Sequence, residues 1–312
     1  MSSAIPPVSY RLYQTDPAAF AEALGRSYAQ YGFAVVADHG LPQHLIEASL
    51  NRFKTFFGWP EAEKRRYHQP GLAGARGYTP FGIETAKGAS THDLKEFWHV
   101  GRCLPPEHPY RAWMPENVWV SEIDGFQDHV RALYAAMDAF GRHMLRAIAQ
   151  YLGLATDFFE NKVSMGNSLL RVLHYPPVPP EASGAVRAAA HEDINVITLL
   201  LGAEEGGLEI LTKEGRWLPV NPPPGCIVVN IGDMLQRMTN HVLPSTTHRV
   251  VNPPPERAGH ARYSLPFFLH FNPDVVIEPL PGCVTTDNPL RYPEPITAQG
   301  YLEERLREIR LL

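Results

Sequence analysis

The chain has 312 residues, a formal charge of −5 at pH 7 and 44% apolar side chains. That length and apolar content allow one large domain or two smaller ones with an ample buried core, and the acidic balance leaves no basic footprint for nucleic acid. No stretch approaches about 18 consecutive apolar residues, no signal segment opens the chain, and Cys103, Cys226 and Cys283 are too few and scattered for a disulfide framework or zinc site, so a soluble cytoplasmic protein with neither nucleic-acid nor membrane partners is expected.

Asp16-Pro17 reads as a helix N-cap followed by proline at the first helical position. Phe20, Leu24 and Tyr28 then recur every four residues, and Gly32 stops the helix. Phe33 to Ala37 is a short apolar strand. His39-Gly40-Leu41-Pro42 turns the chain into a second helix with Ile46, Leu50, Phe53 and Phe57 on one face. His39 is read as a turn residue, because a metal ligand needs partners at defined spacing. Residues 69–101 are polar, glycine-rich and without a clear period. Within them, Asp93-Leu94-Lys95-Glu96 is expected to be a solvated or internally paired charge cluster. From Val120 to Leu152 the apolar positions (Phe126, Val130, Leu133, Met137, Phe140, Met144, Ile148) follow helical spacing and predict one helix of about nine turns laid along a sheet.

Strand signals follow at short spacing: 168–175, 196–201, 208–211, 217–220, 226–231, 245–251 and 263–271. Lys213-Glu214-Gly215-Arg216 makes a hairpin of the third and fourth. Proline clusters at 176–180, 222–224 and 253–255 are rigid loop connectors. A last helix is expected from about Ala298 to Leu311. The predicted class is α+β: a double-sheet jelly roll, or double-stranded β-helix, with a helical N-terminal region and a long backbone helix. The helix-rich part spans 1–118 and the long helix plus jelly roll 119–312, together one compact unit.

The chemistry concentrates between Ala188 and Phe271. His191-Glu192-Asp193 is the only His-x-Asp or His-x-Glu triplet among 14 histidines. His191 and Asp193 point the same way if Glu192 is extended. With His248 they form two imidazoles and one carboxylate, a set that suits non-haem Fe(II) and O2 because it leaves coordination positions open. Arg262-Tyr263-Ser264 places a guanidinium and a hydroxyl on one face of a strand, where they can hold a carboxylate. Asp233 is read as a loop cap. His241, His260 and His270 have no carboxylate at matching spacing and are read as surface or core histidines.

The order His-x-Asp, about fifty residues, His, about a dozen residues, Arg-x-Ser resembles the isopenicillin N synthase-like branch of the Fe(II)/2-oxoglutarate-dependent dioxygenases. Tyr31-Gly32-Phe33 and Asp38-His39-Gly40 resemble that family's N-terminal region. The resemblance implies Fe(II) on His191, Asp193 and His248, which are also the catalytic residues, with O2 and 2-oxoglutarate as cosubstrates. It implies that Arg262 and Ser264 take the C5 carboxylate of 2-oxoglutarate, with Tyr175 as a further donor. Arg171 stands where some members place a basic residue near the iron; it is read either as touching substrate or cosubstrate, or as an outward strand arginine. The family's segment past the active-site mouth matches 69–101, so Arg76, Tyr78 and Phe81 are possible substrate contacts, with Glu84 and Lys87 in the same segment. One departure is Leu173, where many plant members carry an asparagine that donates to 2-oxoglutarate.

The implied activity is oxidation, most simply hydroxylation, of a C–H bond in a small molecule, with release of succinate and CO2. Two alternatives stand beside it: an oxidase like isopenicillin N synthase that uses Fe(II) and O2 without 2-oxoglutarate, and a non-catalytic ligand-binding protein on the same fold. The oxidant is fixed by the triad while its use is not, so desaturation, ring closure and ethylene formation remain open, as do substrate identity and oligomeric state.

Overall fold

The computed structural model describes residues 5–72, 74–83, 93–177, 186–202 and 206–308. The N-terminal region holds β1 (Pro7–Ser9), α1 (Arg11–Thr15), α2 (Pro17–Tyr31), β2 (Phe33–Ala37), α3 (Gln43–Phe57), α4 (Glu61–Lys64), β3 (Gly77–Thr79) and β4 (Glu96–Gly101). After it come α5 (Phe126–Tyr151), α6 (Glu160–Val163), β5 (Leu169–Tyr175), β6 (Ala188–His191), β7 (Ile197–Leu201), β8 (Leu208–Leu211), β9 (Trp217–Pro219), β10 (Ile227–Ile231) and α7 (Asp233–Met238). β11 (His248–Val250), β12 (Arg262–Leu269), β13 (Val276–Ile277), β14 (Ile296–Thr297) and α8 (Ala298–Glu308) complete it.

Helix α2 starts and stops where its sequence says. Asp16 accepts the Ala19 N–H at 3.0 Å, and Gly32 ends the helix at φ 69°, a left-handed turn that glycine adopts without a Cβ penalty. The long helix is shorter than its apolar pattern implied. Gly125 sits at φ 62°, so the chain before it runs as turns and α5 begins at Phe126. Strands β3 and β4 and the parallel strand β1 carry too short or too polar a pattern to stand out in the sequence.

The large sheet has the order β1-β2-β10-β7-β12-β5-β4-β3, and the smaller one β6-β11-β8-β9. Residues alternate between two faces along each strand. On the large sheet, Val172, Ile197, Leu199, Val229, Phe267 and Leu269 join the apolar core that also contains Phe20, Phe53, Val130 and Met144 from α2, α3 and α5. The packing is close. The Tyr134 and Phe267 rings meet edge-on at 5.0 Å, and a Cβ on Gly141 of α5 would lie 2.5 Å from Leu269. The other face looks towards the smaller sheet, and Phe33, Val35, Leu208, Ile210 and Val228 fill part of the space between. This is a mixed α+β double-stranded β-helix, helix-backed on one side.

The segment 93–96 is a correction. Asp93, Leu94, Lys95 and Glu96 are all buried, so the solvated reading of this cluster fails. The internal pairing holds, with Lys95 Nζ 2.8 Å from Asp93.

Candidate metal centre and cosubstrate clamp

His191 ends β6 and His248 begins β11, and the two are opposite one another in the antiparallel ladder. The pairing alone brings their rings to 4.4 Å between centroids. Asp193 lies beyond the end of β6, so Glu192 does not continue the strand as the i, i+2 argument assumed. Its placement comes from the loop into β7. There Asp193 Oδ2 accepts hydrogen bonds from Thr198 Oγ1 at 2.6 Å and Asn230 Nδ2 at 2.8 Å. The other oxygen, Oδ1, is left 3.7 Å from His191 Nε2 and 3.8 Å from His248 Nε2. One donor atom from each of the three residues lies within 4.8 Å of the others.

Each imidazole is turned by its second nitrogen. His191 Nδ1 is 2.8 Å from the Ala189 carbonyl and His248 Nδ1 is 3.1 Å from that of Thr246. A carbonyl oxygen only accepts, so Nδ1 carries the proton in both rings and Nε2 offers its lone pair. Burial first, and the neighbouring His248 second, push His191 down to about 4, which keeps it a neutral donor. The side chain is nonetheless 42% open to solvent. Burial pushes the Asp193 carboxyl up. The two imidazoles and the two hydrogen bonds outweigh that and hold it below the ordinary carboxylate range.

The donor set fits a divalent ion that keeps open positions. Two donors each about 2.1 Å from one ion span at most about 4.2 Å, and both carboxylate–imidazole separations fall inside that limit. Among the described residues no fourth His, Cys, Asp or Glu joins the group.

Arg262, Ser264 and Tyr175 gather on the inner face of the large sheet. Arg262 lies opposite Tyr175 and Ser264 opposite Leu173 in the β12–β5 ladder. Arg262 is 1% exposed, with its guanidinium 5.0 Å over the Tyr175 ring. Its hydrogen bonds are long: Nη1 to Ser264 Oγ and Nη2 to the Gly202 carbonyl, both 3.4 Å, while Nε is buried without a partner. No carboxylate among the described residues pairs with it. A buried guanidinium so poorly satisfied is costly unless an anion arrives, so this cradle fits a ligand carboxylate.

The possible substrate residues divide. Arg171 is on the inner face, alternating with Leu173 and Tyr175, so the outward reading is overturned. Its Nε donates to His99 Nε2 at 2.6 Å, and its guanidinium lies 4.3 Å from the Phe97 ring and 5.3 Å from Phe268. Leu173 packs with Phe97 and Tyr175. Arg76 and Tyr78 do not match the expectation of a mouth contact. Arg76 is 1% exposed, donates from Nε to the Pro115 carbonyl, and burial pushes it down to about 10. Tyr78 points to the helix side, where its hydroxyl bonds Glu96 and its ring meets Phe56 edge-on at 5.4 Å. Phe81 is half-buried, and Glu84 and Lys87 lie outside the described residues. Asp233 opens α7 rather than capping a loop; its amide donates to the Asp193 carbonyl at 2.7 Å and its carboxyl lies 3.4 Å from Arg305. Thr198 and Asn230 were missed by sequence reasoning, since hydroxyl and amide residues in strands carry no spacing signal of their own.

Residues 166–271 match the pattern of the 2OG-Fe(II) oxygenase superfamily, and residues 5–122 match that of the N-terminal region of the non-haem dioxygenases in morphine synthesis. A 2-oxoglutarate-Fe(II) type oxidoreductase of Emericella nidulans is 33% identical over 300 residues, covering 92% of this chain and 84% of the relative. Among solved structures, a 2OG-Fe(II) oxygenase family protein from Caulobacter crescentus superposes with a TM-score of 0.93 at 59% identity, covering 99% of this chain and 100% of the other. A Neurospora crassa protein in complex with thymine and alpha-KG, which is 2-oxoglutarate, superposes with a TM-score of 0.86 at 29% identity, covering 97% of this chain and 96% of the other. The chain belongs to the 2-oxoglutarate–Fe(II) oxygenase superfamily, and is an oxidoreductase whose cofactor is Fe(II) and whose cosubstrates are 2-oxoglutarate and O2.

Proposed function

We propose that His191, Asp193 and His248 hold the iron, that Arg262 with Ser264 and Tyr175 holds the C5 carboxylate of 2-oxoglutarate, and that the enzyme oxidises a C–H bond of a small organic molecule. The observation that carries this reading is the orientation of the triad: both Nδ1 atoms and Asp193 Oδ2 are tied back into the protein, so two Nε2 lone pairs and Oδ1 face one point. When bound, Fe(II) with 2-oxoglutarate and O2 supplies the chemistry that breaks the substrate C–H bond and releases succinate and CO2. The chain orients the participants. Arg262 fixes the far end of the cosubstrate, Thr198 and Asn230 stop the Asp193 carboxylate from rotating, and the apolar walls around Phe97, Leu173 and Phe268 keep water from the inner face.

Arg171 is the substrate contact we favour, because it shares the inner face with the clamp. Small-molecule substrates are supported by the relatives, among them the thymine complex from Neurospora crassa and JOX2 in complex with 2OG, Fe and JA. We read the enzyme as cytoplasmic; no described helix is long and apolar enough to cross a membrane. We also take 1–118 and 119–312 as one compact unit, because β2 hydrogen-bonds to β10 and β4 to β5.

The test is a panel of candidate small molecules read by succinate formation, with anaerobic Fe(II) titration of wild type, His191→Ala and Asp193→Ala. Substrate-dependent succinate and loss of tight iron binding in both variants are expected. Unchanged iron affinity in the variants would reject the ligand assignment, and oxidation without 2-oxoglutarate would favour the oxidase reading.

A further inference from the structure

The buried Asp93–Lys95 pair lies outside the triad and the clamp, yet it sits where the two sheets meet. Strand β4 is next to one edge of the large sheet, and β6, which carries His191, is the edge strand of the small one. No ladder joins β4 to β6. The segment just before β4 makes the connection: the Leu94 amide donates to the Val186 carbonyl at 3.1 Å, and Asp93 Oδ1 accepts the Ala189 amide at 3.2 Å. Ala189 is the residue whose carbonyl receives His191 Nδ1–H at 2.8 Å. The second oxygen of Asp93 is held by Lys95 Nζ at 2.8 Å. A single run therefore goes Lys95, Asp93, Ala189, His191, every link a hydrogen bond.

We propose that Asp93 is a positioning residue for the metal: it fixes Ala189 so that the carbonyl of that residue holds His191 with Nε2 facing Asp193 and His248. The physical need is plain. Among the described residues β6, four residues long, pairs on one side only, and its ladder with β11 shifts register between His248 and Val250. An edge strand this short has few ladder bonds to hold its end still. His191 is also the most exposed of the three ligands, with 42% of its side chain open against 6% for Asp193 and 10% for His248, so little packing restrains it. A buried carboxylate accepting a backbone amide supplies the missing restraint, and Lys95 anchors the other oxygen of that carboxylate. Partners beyond the ligands commonly change metal affinity by roughly 10–100-fold when removed.

This inference rests on His191 being an iron ligand, so the experiment keeps the two apart. Anaerobic Fe(II) titration is carried out on full-length wild type, Asp93→Asn, Asp93→Ala, His191→Ala and Asp138→Asn, with urea unfolding alongside. Co(II) is titrated in parallel, and its visible spectrum reports ligand geometry without turnover. Asp138 is the control: it is buried, ion-paired to Arg102 at 2.7 Å, and lies on α5 away from the triad. The Fe(II) dissociation constant is expected to rise about tenfold in Asp93→Asn and further in Asp93→Ala, with a changed Co(II) spectrum. Asp138→Asn is expected to lose stability with iron affinity unchanged. Asp93→Asn keeps the volume but has a single accepting oxygen for the Ala189 amide and Lys95 to share, so it weakens the restraint and still reports if the alanine variant fails to fold. The proposal is overturned if both Asp93 variants lose stability as Asp138→Asn does while binding Fe(II) and Co(II) like wild type. If His191→Ala also binds iron like wild type, the ligand assignment itself fails.

Discussion

Replacing Arg262 with methionine should do two opposite things to the same protein. Arg262 is 1% exposed, and among the described residues its guanidinium has no carboxylate partner, makes two 3.4 Å hydrogen bonds and leaves Nε buried without one. Before cosubstrate arrives this is a desolvated charge with little return, and an apolar side chain of similar reach is often neutral or stabilising there by roughly 1–4 kcal/mol. Once the carboxylate is bound, truncating a buried hydrogen-bonded charge pair costs about 2–5 kcal/mol. Taking about 3 kcal/mol, the 2-oxoglutarate KM of Arg262→Met should rise roughly 150-fold with Fe(II) affinity kept. Thermal unfolding separates the two effects. A chain of 312 residues has an unfolding entropy that makes each kcal/mol worth about 1.5 °C near Tm. With Fe(II) present throughout under anaerobic conditions, 2-oxoglutarate at about 100 times Kd stabilises by about 2.7 kcal/mol beyond Fe(II) alone, so wild type should gain about 4 °C on its addition. The variant should start at or above the wild-type Tm without ligand and gain nothing at that 2-oxoglutarate concentration. A variant that kept the 2-oxoglutarate-induced gain would refute the clamp, and one several degrees less stable without 2-oxoglutarate would refute the claim that the buried guanidinium is poorly satisfied by the protein alone.

Three further outcomes follow from the same contacts. Thr198→Val keeps shape but removes one of two donors to Asp193 Oδ2, so iron affinity in an anaerobic titration should fall about tenfold; wild-type affinity would show that Asn230 alone orients the carboxylate. His39 is buried, and its Nδ1 accepts the Leu41 amide at 3.1 Å, which needs a neutral ring; burial holds its pKa below 6.5, with Asp38 opposing. The unfolded chain therefore takes up the proton first, and this stability is present above pH 6.5 and lost as pH falls below it. Asparagine can accept the same amide without titrating, so the Tm advantage of wild type over His39→Asn should shrink from pH 7.5 to pH 5, and a constant gap would reject the neutral-histidine account. Gly25→Ala puts a Cβ 2.1 Å from the Tyr151 ring where α2 crosses α5, and urea unfolding should show a loss of about 1–3 kcal/mol; no loss would mean the crossing is loose.

Residues whose chemistry requires a fixed spacing are legible in the sequence itself. His191, Asp193, His248, Arg262 and Ser264 stand out because ligand and clamp residue types fall in order along the chain, and the structure brings the triad to one point and the clamp to one face. Capping also reads well, as Asp16, Pro17 and Gly32 bound α2 by local backbone chemistry alone. What stayed hidden depends on sheet order. Thr198 is adjacent to Asn230 because β7 pairs with β10, and nothing in either strand says so. Asp93 looked like surface charge because its partners, Lys95 and the Ala189 amide, are respectively too local and too distant to signal burial. Tyr78 and Arg76 went astray for the complementary reason. A glycine-rich stretch read as an open mouth loop contains β3, whose alternation sends Tyr78 into the helix-side core.

That alternation is what couples the core to the chemistry. Along β12, Tyr263, Leu265, Phe267 and Leu269 face the helices, so Arg262, Ser264 and Phe268 must face inward. A slip of one residue would put Arg262 among Phe57 and the helix core and turn Tyr263 to the inner face, exchanging both faces at once. The register is therefore pinned from behind. Phe267 packs edge-on against Tyr134, Leu269 fills the space that Gly141 leaves on α5, and Tyr263 stacks on His174 at 4.8 Å, itself bonded to buried Glu96. None of these residues faces the inner side of the sheet, yet each fixes the height at which Arg262 and Ser264 stand relative to Thr198 on the next strand. Thr198 in turn orients Asp193, so the distance between the Arg262–Ser264 pair and the triad is set by how two apolar rows seat against α5.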